Sequence, residues 1–260
     1  MSNLIDIINY KDHPLENSSY INYCRKEILD KSILVLNNFI TKKCLDELIL
    51  EALSLENKAF YCSQNHTILL EKHDNLLNKN DPLNIEVKSD KGCVPHDLVG
   101  KNSKLNIIYK SNIFKKFIKD VLSLNDLHSY SDSLSSINYN YYQKTQQLGW
   151  HFDNASFAIT LMIQCAESGG DFEYVSQGRD YKKNLIDKSY LSKIINNSIK
   201  PKKINADAGT LVLFYGRNYL HRVTPVKSAK PRILVTLNYN EEEGIKLSEN
   251  ARLTFFGRIN

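Results

Sequence analysis

The sequence predicts an α+β, mainly β fold: a β-barrel or jelly roll with helices packed outside it. Three observations carry that expectation. The first half places apolar residues at three- and four-residue spacing, the period of a helix face. The second half changes to short runs of β-branched and aromatic residues, each bounded by turn chemistry. The composition is that of an ordinary globular chain, and 260 residues bury a sizeable core without disulfides or metals.

The elements follow in chain order. Ile33-Leu-Val-Leu36 is expected as a short buried strand. Thr41 then offers a cap for a helix through Leu53, with Leu45, Leu48, Ile49 and Leu53 on one face. Between Glu56 and Gly100 the chain is polar and weakly patterned, and only loops and short strands are expected. Its Gly/Pro-punctuated stretch Ser89–Asp97 is read as a loop, a candidate for a substrate lid. A second helix is expected from Ser111 to Leu122, with Ile113, Phe114, Phe117, Ile118, Val121 and Leu122 as its inner stripe. Strands are then expected at Ser136–Tyr142, Ser156–Gln164, Asp171–Val175, Thr210–Tyr215 and Arg232–Tyr239, with Tyr181–Ile199 as a helical or loop insertion. No repeat or linker divides the chain. It is read as one domain, 1–260, with a helical support region at 1–130, a β core at 131–245 and a C-terminal tail at 246–260.

Several function classes are poorly supported. The charge balance of +5 is spread along the chain, and the densest basic cluster, Lys200–Lys203, is short enough to be a solvated loop. A nucleic-acid partner is therefore not expected. Five cysteines are widely separated with no C-x-x-C pair, which suits reduced thiols better than disulfides or a thiolate zinc site. No apolar run approaches the roughly 20 residues of a membrane span, and no secretory signal is visible at the start of the chain. A cytoplasmic location without membrane association is the expectation.

The chemistry concentrates near Trp150-His-Phe-Asp-Asn154. In a strand, residues two apart face one side, so His151 and Asp153 would present an imidazole and a carboxylate together. Alone this pattern is weak. His221 follows Asp153 by 68 positions, just past the strand at 210–215, and is the only later histidine. Two histidines and one carboxylate form the facial triad of non-haem Fe(II) sites, which leaves open positions on the metal. Arg232 follows His221 by eleven positions and can hold a carboxylate through a two-pronged ion pair.

With its strand context, the order His151-x-Asp153, His221, Arg232 resembles the Fe(II)/2-oxoglutarate-dependent dioxygenases over about Ser136–Asn240. The flanking Gly149–Asn154, Gly169–Tyr174, Gly209–Phe214 and Leu220–Pro225 resemble small members of prolyl-hydroxylase-like type, some related to free-amino-acid hydroxylases and halogenases. The resemblance implies a double-stranded β-helix (jelly roll) with Fe(II) held by His151, Asp153 and His221. It also implies 2-oxoglutarate as cosubstrate, its C5 carboxylate on Arg232, with O2 as oxidant and succinate and carbon dioxide as products. Halogenating relatives have a small residue at the carboxylate position, so Asp153 favours hydroxylation.

The strand before the triad is expected to add a polar group to the 2-oxoglutarate pocket. Asn138, Asn140 and Tyr142 share one face, and Tyr142, backed by Asn140, is named for this role, with Tyr141 the alternative if the register slips by one. Trp150, Asn154, Glu173 and Asn238 are weaker candidates for substrate contact. The other five histidines lack partners at ligand spacing. The function expected is hydroxylation of a small molecule, of the free-amino-acid class. A protein (prolyl-type) hydroxylase and a non-catalytic metal-binding or sensory jelly roll are the alternatives.

Overall fold

The computed structural model describes residues 4–260. Its centre is a seven-stranded antiparallel sheet. In chain order the strands are β1 (Ile33–Leu36), β2 (Phe60–His66), β3 (Val87–Val94), β4 (Ile137–Tyr142), β6 (Ala158–Gln164), β9 (Leu211–Phe214) and β11 (Arg232–Leu237), arranged as β1-β9-β6-β11-β4-β3-β2. Four more strands, β5 (Leu148–His151), β7 (Phe172–Tyr174), β8 (Lys202–Ile204) and β10 (His221–Val223), make a four-stranded antiparallel sheet in the order β8-β7-β10-β5, and two short pairs, Arg179–Asp180 with Leu185–Ile186 and His128–Ser129 with Tyr239–Asn240, stand apart from both sheets.

Period-two alternation gives the large sheet two different faces. On β4, Tyr139 and Tyr141 point outward and donate through their hydroxyls to Glu51 Oε1 and the Ala52 carbonyl, 2.7 Å each. That face packs with Ile159, Leu161, Leu211, Ile233 and Val235 against a helical layer. The layer comprises α1 (Ser18–Lys31), α2 (Lys42–Leu55), α3 (Lys104–Lys110) and α4 (Asn112–Leu122). The inner face carries Tyr142, Met162, Val212, Phe214 and Leu234, which meet Phe172 and Val223 of the small sheet. The molecule is thus helices, large sheet, small sheet, with the buried polar groups Asn140, His151, His221 and Arg232 set among these apolar contacts.

The two expected helices form at their caps; α4 buries its expected stripe apart from half-buried Ile113, whereas α2 buries Cys44, Leu48, Ala52 and Leu55 and leaves Leu53 exposed. Thr41 accepts from the Cys44 amide at the start of α2, and Ser111 from the Phe114 amide at the start of α4. The central strands match their expected positions to within two residues. Other parts differ. Ser89–Asp97 is no lid loop: most of it is β3, paired along its length with β2 and, through Gly92–Val94, with β4. Asp97 holds Arg258 at 2.7 Å and His96 bonds Asn106, so both are engaged at the periphery. Lys200–Lys203, read as a solvated loop, runs into the edge strand β8 (Lys202–Ile204), with Lys203 paired to Asp171. The C-terminal tail holds a helix, α6 (Glu249–Phe256), packed on β2 and β3, and the insertion at 181–199 holds α5 (Lys188–Ile195).

All five cysteines are free, and no helix among the described residues is long and apolar enough to cross a membrane.

Candidate active site

His151 closes β5 and His221 opens β10, and the two are directly paired across the small sheet. This pairing brings together residues far apart in sequence and sets the imidazole centroids 4.1 Å apart. Asp153 lies beyond the end of β5 rather than within a strand; a turn, pinned by its amide donating to the Gly216 carbonyl at 3.0 Å, brings it back beside the rings. Its Oδ1 sits 3.5 Å from Nε2 of both histidines. Ligand atoms of the three residues all lie within 4.8 Å of one another, the only such group of three among the described residues.

Each imidazole is set in one tautomer. His151 Nδ1 contacts the Gly149 carbonyl at 2.8 Å and His221 Nδ1 the Tyr219 carbonyl at 2.9 Å. A carbonyl oxygen only accepts, so both Nδ1 atoms carry the proton and both Nε2 atoms turn a lone pair toward Asp153. Burial, and after it the neighbouring His221, lowers the His151 pKa to about 4, so the ring is neutral at physiological pH. Burial pushes the Asp153 carboxyl up, but once the rings take a second proton at Nε2 their charge, that of His221 foremost, and their hydrogen bonds outweigh it and hold the group well below the usual carboxylate range; while the rings are neutral their lone pairs and the carboxylate are left to share a cation.

These features fit a divalent metal. Imidazole and carboxylate ligands bind such ions at about 2.0–2.2 Å, which places ligands at right angles about 3 Å apart, slightly closer than the observed 3.5 Å. The carboxylate's other oxygen, Oδ2, is buried without a hydrogen-bond partner and lies against Gly216, where a Cβ would come within 1.8 Å of it.

Arg232 opens β11 on the inner face, directly opposite Tyr142 of β4. Its guanidinium lies 5.3 Å from the centre of the Tyr142 ring. Gly170, at positive φ, allows the chain to pass close to the arginine stem, where a Cβ would stand 3.1 Å from Cδ. The side chain is buried and Nη1 has no partner, and no carboxylate is within ion-pair reach among the described residues. A buried cation in this state calls for an anionic ligand.

Asn140 is on the same inner face, where its Oδ1 accepts from Lys91 Nζ at 2.7 Å. Trp150 packs in a core cluster beneath the Arg222 guanidinium. Glu173 is bound to Arg222 at 2.7 Å, and the Asn154 carbonyl accepts from Arg217, so each is committed to a neighbouring arginine. Asn238 bonds the Ser135 carbonyl and Asn138. Sequence reasoning missed Lys91 and Gly216. Lys91 was hidden because its strand was read as a loop. Gly216 was hidden because its role is to lack a side chain next to a residue 63 positions away.

A family model described as Halogenase D (HalD) matches residues 16–252. The chain belongs to the Halogenase D family. That places it within the Fe(II)/2-oxoglutarate oxygenases, the superfamily that its His-x-Asp, His and Arg pattern resembles. Solved structures similar to this Halogenase D family member include a 2OG-Fe(II) oxygenase family oxidoreductase from Burkholderia pseudomallei, 13% identical, covering 88% of this chain and 94% of that one, TM-score 0.54. A prolyl-4-hydroxylase from Pseudomonas putida is 10% identical over 83% and 96%, TM-score 0.51. The non-heme alpha ketoglutarate dependent carbocyclase SnoK from nogalamycin biosynthesis is 10% identical over 95% of each chain, TM-score 0.58. At these identities the likeness is one of fold. No curated protein matches the chain.

Proposed function

We propose that this member of the Halogenase D family is an Fe(II)/2-oxoglutarate-dependent hydroxylase of a small molecule, of the free-amino-acid class. His151, Asp153 and His221 hold the iron, and Arg232 pairs with the C5 carboxylate of 2-oxoglutarate. Tyr142, opposite Arg232, lines the cosubstrate pocket, with Asn140 behind it. On this reading the two facing antiparallel sheets are the halves of a double-stranded β-helix.

Fe(II) with 2-oxoglutarate supplies oxygen activation coupled to oxidative decarboxylation, yielding succinate and carbon dioxide. The chain's own residues supply the setting. The Gly149 and Tyr219 carbonyls hold both imidazoles in the ligating tautomer. Phe172 and Phe214 pack around His221, with ring centroids 5.5 and 4.9 Å away, and shield that ligand from water. Arg232 anchors and orients the cosubstrate from the opposite sheet, and the inner-face side chains position the substrate beside the metal.

The observation that carries hydroxylation over halogenation is Asp153 itself. Its carboxylate stands between the two imidazoles, filling the position that halogenating relatives leave open for a halide.

The test is succinate release across an amino-acid panel, with and without chloride, with products analysed by mass. Hydroxylated product and chloride-independent turnover are expected, whereas a chlorinated product would contradict the reading. In the same assay Arg232→Ala should raise the 2-oxoglutarate concentration for half-maximal rate by about 10- to 100-fold, the worth of a charge-assisted hydrogen bond.

A further inference from the structure

The backbone that orients His151 is poorly held by its own sheet. β5 pairs with β10 at His151↔His221 and Leu148↔Val223, so two residues of β5, Gly149 and Trp150, face the single residue Arg222. This is a β-bulge, where the ladder is locally disrupted. The residue whose carbonyl accepts from His151 Nδ1 is Gly149, and glycine has the least restricted backbone of any residue. A ligand is thus aimed by a glycine at a bulge, and its hold has to come from elsewhere. It comes from β2 and β3 of the other sheet. The Gly149 amide donates to Ser89 Oγ at 3.0 Å, and Ser89 Oγ lies 2.5 Å from His66 Nε2. His66 Nδ1 contacts the Thr67 carbonyl at 2.8 Å.

The direction of each bond follows from the chemistry of the groups. A carbonyl only accepts, so His66 Nδ1 carries the ring proton and Nε2 accepts from the Ser89 hydroxyl. Ser89 Oγ is then left to accept from Gly149. Donation runs one way from the ligand: His151 to Gly149, Gly149 to Ser89, Ser89 to His66, and His66 to Thr67. His66 and Ser89 are both buried, and the His66 ring stands edge-on to the His151 ring with centroids 6.3 Å apart. The strands approach closely enough for this only because residue 149 has no side chain: a Cβ there would lie 2.7 Å from Val87 Cγ2 and 2.8 Å from the Lys88 carbonyl oxygen. Two backbone ties flank the chain of side chains. Gln147 and Asp90 are joined by two hydrogen bonds of 2.9 Å, and the Phe152 amide donates to the Ile68 carbonyl at 2.9 Å.

We propose that Ser89 and His66 are positioning residues for the metal ligand His151. Neither touches the metal ligands' donor atoms. Ser89 fixes Gly149, and His66 fixes the Ser89 hydroxyl, so that the Gly149 carbonyl keeps the His151 ring in the plane and tautomer that turn its Nε2 toward Asp153 and His221. Losing either group frees the glycine at the bulge and lets the imidazole swing. The inference rests on the metal reading above, and it adds to that reading the groups that set the first ligand.

The experiment titrates the full chain with Co(II), a coloured stand-in for Fe(II), and reads both affinity and the visible ligand-field bands. Ser89→Ala and His66→Phe should each weaken binding by about 10- to 100-fold, the usual effect of removing a group that orients a ligand, and should shift the bands. His66→Gln keeps an acceptor for the Ser89 hydroxyl and should recover most of the affinity. Phe117→Ala is the control, a destabilised core variant remote from the ligands, whose folded fraction should bind Co(II) with wild-type affinity and bands. If Ser89→Ala does not fold, the two His66 variants carry the test. Three results would overturn the proposal: wild-type affinity and bands in folded Ser89→Ala or His66→Phe, a loss that only follows the folded fraction as in Phe117→Ala, or His66→Gln binding no better than His66→Phe. Failure of folded wild type to bind the metal would instead defeat the metal reading beneath it.

Discussion

At the scale of single residues, the site depends on one position that has no side chain. An alanine Cβ at Gly216 would fall 1.8 Å from Asp153 Oδ2 and 3.0 Å from His221 Cε1. The carboxylate would have to move off the line between the two imidazoles. Gly216→Ala should therefore lower Fe(II) affinity by about 10- to 100-fold, the usual effect of disturbing groups that orient ligands, with little change in melting temperature; direct metal titration checks this. Protonation gives a second handle. An unfolded histidine titrates near 6.5, whereas buried His151 holds its proton only below about 4. Between those values the unfolded chain binds a proton that the native metal-free protein does not, so stability is present above pH 6.5 and lost as pH falls toward 4. The depressed Asp153 carboxyl acts with the same sign at lower pH. The melting temperature of metal-free protein should fall across pH 6.5 to 4, and His151→Asn should flatten that slope. The histidines, Asp153 and Arg232 were legible in sequence because each carries distinctive chemistry in a recognisable order. Gly216 and Lys91 were not, since their meaning lies in what they adjoin.

At the scale of elements, legibility followed the strength of the pattern. α4 carries Phe114, Phe117, Ile118, Val121 and Leu122, all buried, behind a Ser111 cap, and every one of these was expected. Phe117 stacks on Tyr20 of α1 with centroids 5.9 Å apart. Phe117→Ala should cost about 3–5 kcal/mol, the range for emptying a buried aromatic site. Denaturant unfolding measures this, and iron binding by the folded fraction should be unchanged, because α4 packs on the outer face, away from the metal ligands. α1 escaped notice because Ile21, Cys24 and Ile28 form a thin buried stripe in a polar sequence. β2 and β3 escaped for a related reason: their inner faces hold Cys62, Gln64, Ser89, Lys91 and Cys93, polar or small groups that give no apolar alternation, although Cys93 packs with Leu134 and Phe256. β10 is three residues long, so its pairing with β5, which assembles the triad, comes from tertiary structure rather than local pattern.

At the scale of the whole molecule, each layer has a separate task. The helices cover the outer face of the large sheet, the small sheet and the turn after β5 carry the three candidate metal ligands, and the large sheet presents Arg232 on its inner face. Metal and anion groups thus come from opposite walls and converge only in the folded chain. The same division explains how structures 8–14% identical share this fold: apolar layers tolerate substitution if pattern and volume are kept, while a few polar positions carry the chemistry. On the proposed reading, His151, Asp153 and His221 form an iron centre that takes 2-oxoglutarate. Anaerobic titration of the protein with Fe(II) and 2-oxoglutarate, following the visible charge-transfer band of the chelate, tests it. The band should form with wild type and be absent from folded His221→Ala and Asp153→Ala proteins. A band of undiminished strength in either variant, or none in folded, iron-loaded wild type, would contradict the account.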